Sequence, residues 1–188
     1  MAIWQRQARR FAGVTLTEML LVVSVTSILL GLGIPSFGNM LRSTRLSSVT
    51  NELLVEFNLA RSEAIRRGQR VVLCKAVHAL KCSASGGWEQ GWLMFEDANN
   101  NAWLDEGETV VRFRPALPPG WQITGNASVS RYVSYHPLGG TYLTGGGFQA
   151  GTLTICLLSP SNTPSRQIVI NSTGRPRTQV QPGSHVCG

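Results

Sequence analysis

Twenty-one consecutive residues, 14–34 (VTLTEMLLVVSVTSILLGLGI), carry one charged side chain, Glu18, and no other feature limits the possible folds so strongly. With about 1.5 Å of rise per residue, a helix of this length covers a hydrocarbon core of roughly 30 Å. Ahead of it, Arg6, Arg9 and Arg10 stand without an acid among residues 1–13. That bias keeps the N-terminus cytoplasmic and sends the rest of the chain across the membrane. The run is not an ordinary secretory signal: it exceeds an h-region of roughly 7–15 residues, and no A-x-A site closes it. A carboxylate at membrane depth costs on the order of a few kcal/mol unless it is paired or reaches the headgroups. Glu18 is therefore a candidate functional residue.

Past the apolar run, Pro35 removes a helix hydrogen bond and Gly31 and Gly33 loosen the turn before it, which predicts a kink or local melting. From Ser43 the pattern becomes amphipathic. Leu46, Val49, Leu53, Phe57, Ala60 and Ala64 fall on one helical face, Glu63 and Arg67 form an i,i+4 pair, and Gly68 supplies a stop. Six short segments rich in Val, Ile, Phe and Tyr then read as strands: 71–75, 91–96, 109–114, 131–135, 152–158 and 167–171. The 188 residues fit one domain with an appendage, and 43% hydrophobic against 14% charged residues excludes a disordered charged chain or a long coiled coil.

Export of this head puts Cys74, Cys82, Cys156 and Cys187 where disulfides form. Three pairings are open. The spacing favours Cys74–Cys82 around a short hairpin loop and Cys156–Cys187 tying the tail to a central strand. Zinc is disfavoured, since no C-x-x-C occurs and His78, His136 and His185 are scattered. There is no G-x-S-x-G, HExxH or P-loop, so nothing here reads as an enzyme.

Gly13 followed by Val14-Thr15-Leu16-Thr17-Glu18, with Pro35 further on, resembles the class III signal of type IV pilins and pseudopilins. The resemblance implies cleavage by a prepilin peptidase between Gly13 and Val14 and N-methylation of Val14. Glu18 then becomes the fifth mature residue and Pro35 the twenty-second, the places where pilins carry a Glu and a helix-kinking Pro. Val14 departs from the usual Phe or Met. Physically, the new amine of one subunit pairs with Glu18 of a neighbour inside an apolar bundle, setting register more than adding stability.

The head, with LC-x7-C, GWLMF-D, an Asn/Asp-rich loop, TLTIC and a final GRPR, is similar to the GspH/FimT branch of that family. The implied fold is α+β: a long N-terminal helix, first membrane-spanning and then amphipathic, packed on a mainly antiparallel β-sheet head. The implied division is a leader at 1–13, a transmembrane and assembly helix at 14–41, and a periplasmic or extracellular head at 42–188. The implied partners are other major and minor pilins, the peptidase and, before assembly, the inner membrane, with the head in the periplasm and then on a fibre at the cell surface.

Gly174-Arg175-Pro176-Arg177 matches the C-terminal GRxR motif by which FimT-type minor pilins bind DNA in natural transformation. In an extended chain Arg175 and Arg177 project to one side, and Pro176 biases Arg175 to that shape. The pair suits two successive phosphates of double-stranded DNA, without sequence preference. The formal charge of +7 falls to +4 without residues 1–13, and Arg166, Lys75, Lys81 and Arg70 are candidates to extend a basic surface. The alternative is a minor pseudopilin of a type II secretion pseudopilus with no nucleic-acid role.

No cofactor is expected except at one candidate calcium loop. Asp97, Asn99, Asn101, Asp105 and Glu108 follow the spacing 1, 3, 5, 9, 12 of an EF-hand, but Ala102 stands where the sharp turn wants Gly. An Asn/Asp-rich hairpin is the plainer reading of the same residues.

Overall fold

The computed structural model describes residues 13–158 and 165–181, with the side chains of 32–36 and 39 outside that description. One long helix, α1 (Leu16–Arg67), opens the chain. Thr15 caps it: the Glu18 N–H donates to Thr15 Oγ1 at 3.3 Å, and the Met19 N–H to the Thr15 carbonyl at 3.1 Å. Glu18 thus lies in the first turn, facing the positive end of the helix dipole. At the other end Gly68 takes the left-handed conformation, with φ +63°. The backbone stays helical across 31–35, so the local melting expected at Pro35 does not occur.

The chain divides into two compact units, one up to Met40 and one from Leu41. In the first, residues 13–31 are all exposed, including Leu16, Leu20, Leu21, Val23 and Leu29. Among the described residues no helix is long and apolar enough to cross a membrane, and the described side chains stop short at 32–36, inside the apolar run.

The second unit places the end of α1 against eight strands: β1 (Val71–Lys75), β2 (Gly91–Glu96), β3 (Val110–Pro115), β4 (Trp121–Gly125), β5 (Tyr132–Tyr135), β6 (Gly151–Leu157), β7 (Ser165–Ile170) and β8 (Pro176–Gln181). They form two antiparallel four-stranded sheets, β3-β2-β1-β5 and β4-β6-β7-β8. The expected antiparallel β-sheet head is built as two sheets. Strands β4 and β8 were not apparent in the sequence. Residues around 172–178 read as a loop, yet Pro176 is the first residue of an edge strand, where a missing N–H costs the ladder little.

The helix stripe organises both sheets. Leu46, Leu53, Phe57, Ala60 and Ala64 are buried in one cluster with Leu73 and Met94 of the first sheet and Ile123, Ile155 and Ile168 of the second. Ala60 and Ala64 are fully buried in the same cluster. β1 is buried on both faces: Val72 and Cys74 turn away from the helix into a second cluster with Phe95, Cys82 and Ala102. Two loops cover that outer face. One is closed by the Cys74–Cys82 disulfide, and the other is the Asn/Asp loop. Cys156 is also disulfide-bonded; its expected partner, Cys187, lies outside the described residues.

Charges tie the helix to the first sheet. Glu63 accepts from Arg66 and Arg67, and Arg67 also donates to Glu96 at the end of β2. Hydrogen bonds from Arg66 and then Arg67 hold the Glu63 carboxyl down at about 2. A depressed carboxyl contributes stability above its unfolded range and loses it as the group protonates in the fold. The conformational stability of the chain is expected to fall as pH drops from the ordinary carboxylate range toward about 2, and Glu63→Gln should flatten that slope in denaturant titrations. Phe57, fully buried with its ring 5.9 Å from that of Trp88, should cost about 3–5 kcal/mol when cut to Ala, measured by the same titrations.

Candidate nucleic-acid interface

The basic motif is built by a turn. Residues 171–175 join β7 to β8, and Asn171 organises them: its Oδ1 accepts the Arg175 N–H at 3.1 Å and sits 2.8 Å from Thr173 Oγ1. Its carbonyl accepts the Gly174 N–H at 2.9 Å. Asn suits this place because its short amide side chain bonds to backbone a few residues on.

Gly174 is buried, with φ +73°, and a Cβ there would stand 2.1 Å from the Gly139 carbonyl oxygen. It was expected to belong to the ligand-facing motif. Instead it lets the turn seat on the loop 136–141, and it presents no surface of its own. The Thr141 N–H donates to the Ser172 carbonyl at 3.2 Å, and Thr141 Oγ1 to the Asn171 carbonyl at 3.0 Å. From the helix, Arg61 Nε donates to the Gly139 carbonyl at 2.9 Å. The turn is thereby fixed to the body of the head.

Arg175 and Arg177 are both exposed, with Pro176 half-buried between them. Arg177 pairs in register with Val169 on β7. Opposed residues of an antiparallel ladder share a face, and neighbours along a strand alternate. Arg166 therefore falls on the other face from Arg177 and does not extend the pair. Lys75 does not extend it either: it is buried, and its ammonium donates to the Gly86 carbonyl at 2.6 Å. Burial pushes its pKa down, against a pull upward from Glu89. Lys81 is exposed but lines a separate hollow with Val77, His78 and Trp103. Arg70 is engaged with Ser134 Oγ at 3.0 Å. Other arginines of the head are spent on carboxylates, Arg112 on Glu56 and Arg114 on Glu52. Of the residues read as a basic surface, Arg175 and Arg177 remain, and Arg61 lines a cavity with Arg175.

Sequence reading missed Arg61, Tyr142 and Phe148, which line one shallow cavity with Arg175. Arg61 lies 78 residues from the carbonyl it holds, so no local pattern pointed to it. The one available signal was Phe148 directly after Gly145-Gly146-Gly147, an aromatic residue at the end of a glycine turn.

The Asn/Asp loop is held by its own hydrogen bonds. Asp97 is buried and accepts from the N–H groups of Asn101 at 3.0 Å and Ala102 at 3.1 Å. Burial raises its pKa, and those amides oppose the rise. Glu108 accepts from Ala98 and Asp105, while Asn99 and Asn101 both donate to Asp105 Oδ2. Ala102 does take the left-handed conformation that the sixth position of the spacing requires, with φ +58°. Among the described residues, no group of three or more His, Cys, Asp or Glu side chains is placed to hold a metal ion.

At the N-terminus, Gly13 and Val14 are exposed ahead of the helix and Glu18 is exposed in its first turn. The side chain of Pro35 lies outside the described residues.

Three comparisons bear on this architecture. The profile of the family described as type II transport protein GspH matches residues 49–174. The pilin-like protein PilA1 of Thermus thermophilus is 30% identical over 177 residues, covering 89% of this chain and 97% of that protein. The type IV minor pilin FimU of Pseudomonas aeruginosa superposes with a TM-score of 0.55 at 17% identity, over 78% of this chain and 97% of its own. A second crystal form of FimU gives 0.52 at 17% identity, over 76% and 99%. At that identity the FimU likeness speaks for the fold alone.

Gly174→Ala combines an unfavourable φ with a clash against backbone. It should lower stability by about 1–3 kcal/mol, read by thermal melting, and should detach the turn so that backbone amides 172–175 exchange faster with deuterium.

Proposed function

The chain belongs to the GspH family, a group of pilins and pseudopilins, and on that premise we propose that it is a minor type IV pilin that binds DNA through Arg175 and Arg177. In this reading the prepilin peptidase cuts between Gly13 and Val14, Val14 is N-methylated, and the helix resides in the inner membrane until assembly. The wholly exposed apolar surface of residues 14–31 supports it, since such a surface needs lipid or neighbouring helices around it. Glu18, in the first turn of α1, is then placed beside the new α-amino group and serves to pair with that of a neighbouring subunit. The Cys74–Cys82 disulfide fits a head that folds in an oxidising compartment.

The observation that carries the DNA reading is the turn itself. Two exposed guanidiniums flank a proline at the start of an edge strand, on a turn anchored by Gly174 and Asn171. Anchoring spares the binding step the entropy of ordering that stretch of backbone. Guanidinium forks suit phosphate oxygens, and backbone contacts of this kind carry no base sequence. With about two phosphate contacts, binding is weak and its salt dependence shallow, with a slope of roughly −2 in log K against log salt. The description of the family as type II transport proteins favours a second reading, a pseudopilin of a secretion pseudopilus, in which the same fold assembles without nucleic acid.

Duplex DNA titrated into the full chain in non-ionic detergent, at two salt concentrations, separates the two. Arg175→Gln/Arg177→Gln should weaken binding about tenfold or more and flatten the salt slope by roughly two phosphate contacts. Equal binding by wild type and double mutant would move the site elsewhere, and no binding by wild type at low salt would favour the secretion assignment.

A further inference from the structure

Beside the arginine turn lies a feature that phosphate contacts leave unused. The hairpin 142–148 turns through three glycines, with the Leu143 N–H donating to Gly147 at 2.8 Å, and sets Tyr142 opposite Phe148. Three rings then follow one another: His136 and Tyr142 have centroids 5.4 Å apart, and Tyr142 and Phe148 5.1 Å. The row ends in solvent, because Phe148 is 68% exposed, and Leu138 nearby is 85% exposed. Tyr142, Phe148, Arg61 and Arg175 line one open cavity of about 660 Å³. No carboxylate lines it.

An exposed phenyl ring on a glycine hairpin has no part in the core, so packing does not account for it. Its charge setting narrows what covers it. A cavity with two guanidiniums, no acid and a row of rings matches a ligand that is anionic along one edge and flat and aromatic along the other. A single nucleic-acid strand has that chemistry: phosphates for the arginines and unpaired bases for the rings. A duplex offers only the phosphates, because its bases are stacked on each other.

We propose that the cavity bounded by Arg61, Arg175, Tyr142 and Phe148 takes unpaired bases, so that the head prefers single-stranded DNA, or frayed duplex ends, to continuous duplex. This inference rests on the DNA-binding reading and adds to it a stacking subsite. Phe148 supplies the outer ring, Tyr142 backs it, and Arg175 holds the adjoining phosphate. Sequence preference is not expected, since every base has a face to stack.

The test compares a short labelled oligothymidylate with a duplex of matched length, by fluorescence anisotropy, using the full chain in non-ionic detergent. Wild type should bind the single strand more tightly. Phe148→Ala should weaken single-strand binding by about five- to tenfold and leave duplex binding within about twofold, while Phe148→Trp should retain it. Equal melting temperatures for the three proteins keep the comparison free of folding effects, as expected for a residue so exposed. Unchanged single-strand affinity in Phe148→Ala, with both ligands lost on Arg175→Gln/Arg177→Gln, would overturn the stacking subsite and leave the phosphate site standing. An assembly defect in cells carrying Phe148→Ala, with single-strand binding intact, would also overturn it and make the patch a subunit contact. Failure of wild type to bind either ligand would sink the parent reading and this inference together.

Discussion

Everything in the head hangs on one strip of helix surface. From Leu46 to Ala64 the helix offers a buried face to two sheets at once, with Trp88, Leu117 and Val129 joining the same cluster. The strip works because its residues change in size along its length. Leu53 and Phe57 are its large members and Ala60 and Ala64 its small ones, all fully buried. Burial of that face supplies the main favourable term, and the charged bonds from Arg67 to Glu96 on β2 and from Arg114 on β3 to Glu52 tie the first sheet to the helix.

From that strip the fold extends outward in both directions. On the far side of the first sheet, the disulfide loop and the Asn/Asp loop cover Val72, Cys74 and Phe95, so β1 has no wet face. On the second sheet, the β7–β8 hairpin reaches past the last ladder pair and settles on the loop 136–141. The approach is close enough that only glycine fits at 174. Arg61, one helical turn on from Phe57, reaches the same loop through the Gly139 carbonyl. The arginine motif is therefore held by the same helix that organises the core, which is how an exposed pair of side chains comes to have a defined position.

How much of this the sequence discloses depends on the range of the interaction. The helical stripe was legible because its spacing is local, and six strands were legible because β-branched and aromatic residues cluster between Gly, Pro and Asn. β8 was not: Pro176 and two arginines look like loop until β7 is there to pair with them. The motif residues Arg175 and Arg177 stood out by type, whereas Arg166 and Lys75 were candidates by charge, which says nothing of facing. Strand register turns Arg166 to the other face, and the loop around Gly86 buries Lys75. Arg61 and the Tyr142–Phe148 pair come together only through contacts between segments distant in sequence, so no pattern within a window reveals them.

Whether DNA meets the head at the β7–β8 turn is read most directly at the arginines. The measurement follows the arginine side-chain Nε–H signals of the nitrogen-15-labelled full chain in detergent while short DNA is added. The signals of Arg175 and Arg177 should shift, with Arg61 following more weakly, while Arg112 and Arg114, bound to Glu56 and Glu52, should stay in place. Shifts confined to arginines outside the turn, or none at a DNA concentration that saturates binding, would contradict binding at the turn.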